Sequence, residues 1–146
     1  MTASTVRAWT MNIRKAETEI AKLSRSGLGI ALVKDQAQAY ALVRGLLAPS
    51  PHWDKSSYDI LIPIPAAFDL GAALDGFYLA LPYKFQGGDH NRVSGAIITV
   101  EKQEWRLVSW HYPDGKAFRE GVDTIESHII HCRGFFMERG AVNARI

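Results

Sequence analysis

The densest polar cluster in the sequence is Trp105-Arg106-Leu107-Val108-Ser109-Trp110-His111. On an extended backbone side chains alternate, so Ser109 and His111 point to the same side of such a segment. A serine hydroxyl is a weak nucleophile near neutral pH, and a neighbouring imidazole can accept its proton or hand one to a leaving group. The two residues are therefore a candidate for nucleophilic chemistry with acid–base help. Spacing alone does not carry that assignment. Nine serines and five histidines in 146 residues produce a Ser-x-His about 0.3 times per chain by chance. Without further context an exposed polar pair at a strand end accounts for it.

A second group, His128, His131 and Cys132, has the offsets of three and four that bring ligand types onto one helical face. A metal would need a further ligand from elsewhere, and Cys132 falls on an apolar stripe, where cysteine behaves as a small hydrophobe. No metal is expected. His128 is read as packing at the core margin or orienting something in the neighbouring loop. Gly87-Gly88 lacks the surrounding pattern of a phosphate-binding loop, so no nucleotide cofactor is expected. The four tryptophans are not interleaved with a basic stripe, which argues for packing and against a stacking platform for nucleic acid.

These residues must be positioned by something, and the apolar spacing says what. Ile13, Ala16, Ile20 and Leu23 recur at offsets of three, seven and ten with charged residues between them, which predicts an amphipathic helix ending near Gly27. Residues 30 to 33 and 39 to 43 read as two strands of a hairpin. The proline- and serine-containing stretch 48 to 57 reads as a surface connection. Tyr58, Ile60, Ile62 and Ile64 alternate with other residues, predicting a strand with one apolar face whose prolines lie at a sheet edge or rim. Residues 76 to 81 make a further strand, stopped by Pro82, and residues 87 to 91 a polar loop.

Residues 96 to 100 and 105 to 111 flank Glu101 to Glu104, a natural hairpin connection, and Pro113-Asp114-Gly115 marks a turn. A last helix is expected to open at Asp123 with Glu126 three residues on, the capping-box pattern, and to bury Ile125, Ile129, Cys132 and Phe136. Helix, sequence-adjacent strands, helix, without βαβ alternation, predict an antiparallel α+β domain.

Composition bounds the rest. A length of 146 residues suits one domain, spanning residues 1–146, and not a two-domain enzyme. Hydrophobic residues at 47% and charged residues at 22% are ordinary globular usage. A net charge of +2 is a small excess and no basic field, so nucleic acid is not an expected partner. Apolar runs such as residues 60 to 67 are interrupted by proline and far short of the roughly 20 residues of a membrane helix. The first ten residues have no apolar signal core, and one cysteine excludes an intrachain disulfide framework. The cytoplasm is the expected location.

Several of these segments, in order, resemble a known family. Ile60-Leu61-Ile62-Pro63-Ile64-Pro65, Ala66-Ala67-Phe68 and Asp75-Gly76-Phe77-Tyr78 are similar to the strand, proline-ended turn and aromatic strand of the ubiquitin-conjugating-enzyme fold. More specifically, the chain resembles the bacterial branch called prokaryotic ubiquitin-conjugating family E. That branch has a Trp-x-x-x-Ser/Cys-x-His stretch where the conjugating residue belongs, matched by Trp105, Ser109 and His111. A following Gly-x-Asp-x-Leu-x-Thr/Ser-His-Leu pattern is matched by Gly121, Asp123, Ile125, Ser127, His128 and Ile129 with conservative changes. The similarity covers roughly residues 40 to 136.

The chain also departs from the familiar eukaryotic pattern. It has no active-site cysteine and no His-Pro-Asn tripeptide, whose asparagine supports the oxyanion. His90-Asn91 lacks the proline and lies eighteen residues or more before Ser109, and Cys132 belongs to the helix pattern. The resemblance therefore implies one of two functions. In the first, the domain accepts a ubiquitin-like protein from an activating-enzyme partner as an oxyester on Ser109 and passes it to a target. His111 is then the nearest acid–base group, His128 assists, and Asp123 only caps a helix. In the second, the nucleophile is lost and the domain is a binding or scaffold variant that docks a ubiquitin-like protein or its activating enzyme. A serine hydrolase is a distant third, because the sequence has no Gly-x-Ser-x-Gly elbow.

Overall fold

Charge on one side and Ala16, Ile20 and Leu23 on the other make the first amphipathic segment a helix only when the apolar stripe finds a sheet to cover. A computed structural model describes residues 13–49, 51–86, 90, 92–112, 118–119 and 122–137. In it this segment is α1, Arg14–Arg25, with those three residues buried. The helix closes as expected at Gly27. The Leu28 N–H reaches the Leu23 carbonyl at 3.2 Å and the Gly27 N–H reaches the Ser24 carbonyl at 3.1 Å. Gly27 takes a φ of 103°, a left-handed conformation that costs glycine nothing for want of a Cβ.

The remaining elements are β1 (Ile30–Asp35), β2 (Gln38–Leu47), β3 (Ser57–Ile64), a 3-10 turn (Phe68–Leu70), β4 (Phe77–Ala80), β5 (Val93–Val100), β6 (Gln103–Val108) and α2 (Ile125–Met137). All strand pairs are antiparallel, and the class is α+β. The sheet order is β1-β2-β3-β4-β6-β5. The chain thus meanders through β4, and the last hairpin joins the sheet by its second strand. Phe77 pairs with Val108 and Ala80 with Trp105. Because the pair is antiparallel, the residues that precede β4 lie beside the residues that follow β6. Ser109 and His111 emerge there.

One face of the sheet carries the main core, and the other is buried only in a smaller patch. Ile60, Ile62 and Ile64 of β3 join Phe77, Phe135, Phe136 and the apolar stripe of α1 in the main core. Leu61 is also fully buried, on the opposite face, with Val33, Tyr40, Leu42, Val100 and Trp105. This cluster forms where the β5–β6 hairpin curls toward β1 and β2, so β3 buries one residue, Leu61, on its second face as well, while Asp59 on that face stays half-exposed near Arg44. Pro63 lies beyond Leu61, the last residue of β3 paired with β4. Toward β2 it is still in register with Tyr40, so it lies at the rim of the β3–β4 pairing alone. The connection after β2 is less superficial than its composition implies: Trp53 is buried and bridges to Phe85. Each fully buried phenylalanine contributes roughly 2–3 kcal/mol of burial.

Several expected boundaries move. The β5–β6 turn uses only Glu101 and Lys102, with φ of 56° and 61°, the mirror-image turn whose twist matches the strands, so Gln103 and Glu104 belong to β6. Helix α2 is capped one residue later than the Asp123/Glu126 pattern suggests. The Ser127 N–H bonds Thr124 Oγ1 at 3.1 Å and the Thr124 N–H bonds Ser127 Oγ at 2.8 Å, a reciprocal box on the shorter hydroxyl side chains. Asp123 instead accepts the Arg119 N–H at 2.6 Å and the Ser127 hydroxyl at 3.3 Å. Ile125, Ile129, Cys132 and Phe136 are buried as expected, together with His128 and Phe135. Trp9, Gly87, Gly88, Asn91, the Pro113-Asp114-Gly115 turn and Gly121 lie outside the described residues. Among the described residues, no helix is long and apolar enough to cross a membrane.

Candidate active site

Strand β6 stops at Val108, three residues earlier than the expected strand. The reason is local. The Ser109 N–H turns to the Arg92 carbonyl at 2.7 Å, and the Trp110 N–H returns to the Val108 carbonyl at 3.1 Å. That i to i+2 bond is a γ-turn centred on Ser109. Ser109 therefore sits at the apex of a turn and not on extended backbone, and strand alternation does not govern its direction relative to His111.

The rest of the loop is anchored on α2. The Trp110 indole N–H donates to the His131 carbonyl at 2.8 Å, and its ring packs edge-on against Phe135. Arg92 stacks over the same indole at 5.4 Å. Helix α2 admits this ring at Gly134, where even a Cβ would lie 3.3 Å from the indole. Two residues on, Tyr112 stacks on His131 with centroids 3.9 Å apart, and its hydroxyl meets His128 Nδ1 at 2.6 Å. His111, between these two anchors, is exposed, and its Nδ1 lies 3.3 Å from Asp75 Oδ1.

His128 is fully buried. Its Nε2 lies 2.9 Å from the Gly76 carbonyl. A peptide carbonyl only accepts, so Nε2 carries the hydrogen, Nδ1 is the acceptor, and the Tyr112 hydroxyl donates to it. Burial is the main reason the His128 pKa falls to about 4; the Gly76 bond opposes the shift and His131 adds to it. His128 is thus a neutral bridge at physiological pH. Gly76 carries its carbonyl into position at a φ of 65°, a conformation that other residues adopt only under strain. Burial likewise lowers the His131 pKa and raises that of Tyr112.

Cys132 is buried and unpaired. Desolvation, and then the Asp75 charge, push its thiol far above the ordinary range, so it offers no thiolate. Among the described residues no group of three His, Cys, Asp or Glu side chains is placed to hold a metal; both ring nitrogens of His128 face protein partners instead. His90, the nearest thing to the tripeptide histidine, is buried against Trp53, Phe85 and Phe135, and its Nδ1 accepts the Arg92 N–H.

Ser109 and His111 thus lie two positions apart in the segment that follows β6, and His128 contacts that segment through Tyr112. Asp75, Gly76 and Tyr112 are the residues that sequence spacing missed. Asp75 and His111 are separated by 36 positions, and only the β4–β6 register makes them neighbours.

A family model described as Prokaryotic E2 family E matches residues 16–138. The chain belongs to this family. The match runs from Ala16 within α1 through the whole sheet and α2, so the family-E domain includes every residue of the loop described above. No curated protein and no solved structure gives a significant match. As a family-E protein the chain is a conjugating-enzyme-like domain, and the order of its elements, helix, antiparallel sheet and C-terminal helix, is the α+β arrangement of that fold.

Proposed function

We propose that this family-E domain is a carrier enzyme of a bacterial ubiquitin-like modification pathway, with Ser109 as its acyl acceptor. The Ser109 Oγ attacks the C-terminal carbonyl of a ubiquitin-like protein held as an activated acyl group on an activating enzyme. The Oγ–C bond forms, the bond to the activating enzyme breaks, and His111 takes the hydroxyl proton and passes it to the leaving group. In the second step a nucleophile on the target attacks the same carbonyl, the C–Oγ bond breaks, and Ser109 recovers a proton through His111. An oxyester is less activated than a thioester, so this step needs acid–base help. His128 supports the site from beneath, through Tyr112.

The observation that carries this reading is the exposed His111 in the same anchored loop as Ser109, while the chain's single cysteine is buried in α2. One observation favours the second reading, a scaffold that docks a ubiquitin-like protein or its activating enzyme. The amides of Ser109 and Trp110 are both engaged by backbone carbonyls, so the two N–H groups nearest the hydroxyl are not offered to an oxyanion.

Intact-mass measurement separates the two. The protein is incubated with an activating enzyme, ATP and a ubiquitin-like partner, as wild type, Ser109→Ala and Ser109→Cys. An adduct that survives thiol reductant, disappears in the alanine variant and becomes thiol-labile in the cysteine variant is the expected result. An adduct unaffected by Ser109→Ala overturns the assignment, and retained complex formation without any adduct establishes the scaffold.

A further inference from the structure

We propose that Asp75 is a positioning residue for His111, and that the two are held in register by the buried imidazole of His128. This deepens the acyl-transfer reading and, for its catalytic consequence, rests on it. His111 Nδ1 and Asp75 Oδ1 are 3.3 Å apart, with 68% and 60% of their side chains exposed. An exposed pair of this kind has little intrinsic strength. What sets this one apart is its foundation. The residue after Asp75 is Gly76, whose carbonyl accepts the His128 Nε2–H. The residue after His111 is Tyr112, whose hydroxyl donates to His128 Nδ1. One buried ring therefore grips the chain immediately beyond each member of the pair.

The grip is reinforced on both sides. Phe77, two residues after Asp75, is in ladder register with Val108. Trp110, immediately before His111, is bonded to the α2 backbone. Asp75 and His111 thus approach one another from backbones that have little freedom to separate. A carboxylate can only accept, so it selects the His111 tautomer with hydrogen on Nδ1 and leaves Nε2 bare, the nitrogen able to receive a proton. Orientation and tautomer selection by a carboxylate behind an imidazole are what a general base on an exposed loop otherwise lacks.

The tautomer can be read without any partner protein. Long-range proton–nitrogen correlation spectra of the full chain, taken where the imidazoles are neutral, report which ring nitrogen of each histidine carries hydrogen. The expected result is His111 mainly as the Nδ1–H form in wild type and shifted toward Nε2–H in Asp75→Ala, with His128 remaining Nε2–H in both as a check on the fold. Tyr112→Phe, which cuts one arm of the bridge without touching the pair, is expected to shift His111 in the same direction. Identical His111 tautomers in wild type and Asp75→Ala overturn the positioning role; a shift in Asp75→Ala with none in Tyr112→Phe overturns the bridge.

In the adduct assay, Asp75→Ala is expected to slow transfer from Ser109 by roughly tenfold to a hundredfold, part of the usual acid–base contribution. Unchanged transfer denies Asp75 its catalytic consequence. No wild-type adduct on Ser109 fails the carrier reading while leaving the tautomer result intact.

Discussion

The Tyr112 hydroxyl donates to His128 Nδ1 at 2.6 Å, joining the loop after β6 to the interior of α2. Tyr112→Phe keeps the ring that stacks on His131 and leaves Nδ1 buried without its donor. An unsatisfied buried acceptor costs about 1–3 kcal/mol. Urea unfolding of the variant should show a lower midpoint with an unchanged slope.

The same imidazole makes stability depend on pH. His128 has an ordinary value of 6.5 in the unfolded chain and about 4 in the fold. The depressed value means that the unfolded chain takes up the proton first. The stability due to neutral His128 is complete above pH 6.5, falls as pH drops toward 4, and levels off below that. Its size is roughly 3 kcal/mol. Denaturant titrations across this window should show the loss, and His128→Gln should flatten it.

Helix α2 depends on a residue of α1. The Ile125 N–H, one of the groups a helix N-terminus leaves open, donates to Glu19 Oε1 at 2.8 Å. Glu19→Ala should cost about 1 kcal/mol, as loss of a cap does, while Glu19→Gln retains an acceptor and should lose less. Thermal unfolding of the two variants side by side tests this.

Gly134 is where α2 admits the Trp110 ring. A β-branched side chain there adds atoms beyond a Cβ already 3.3 Å from the indole. Gly134→Val should displace Trp110, break its bond to the His131 carbonyl and cost about 1–3 kcal/mol as an overpacked site. A change in tryptophan emission accompanying the lower stability is the expected signature.

Much of this architecture is legible in the sequence, and the exceptions have physical causes. Period-three-to-four spacing from Ile13 to Leu23, the glycine stop at Gly27 and alternation in β3 are local signals, and the elements appear where those signals lie. Local patterns do not encode which strand lies beside which. The insertion of β6 between β4 and β5 is a tertiary choice, and Leu61 is buried on the second face only because the sheet curls. The candidate site divides in the same way. Ser109, His111 and His128 are visible as residue types at suggestive spacing. The γ-turn at Ser109 is not, because the Ser109 N–H is drawn to the carbonyl of Arg92, the residue before β5. Asp75 is not, because its partner arrives through the sheet register.

Trp110 and Tyr112 act as two rivets set into α2, one on each side of His111. A loop fastened at both shoulders has little conformational entropy left to lose when another polypeptide settles on it. The exposed residue between the rivets meets an incoming chain already in place, and favourable contacts made there need not offset the ordering of a floppy segment. Loosening either rivet should therefore weaken association at this tip even where no contacting atom has changed.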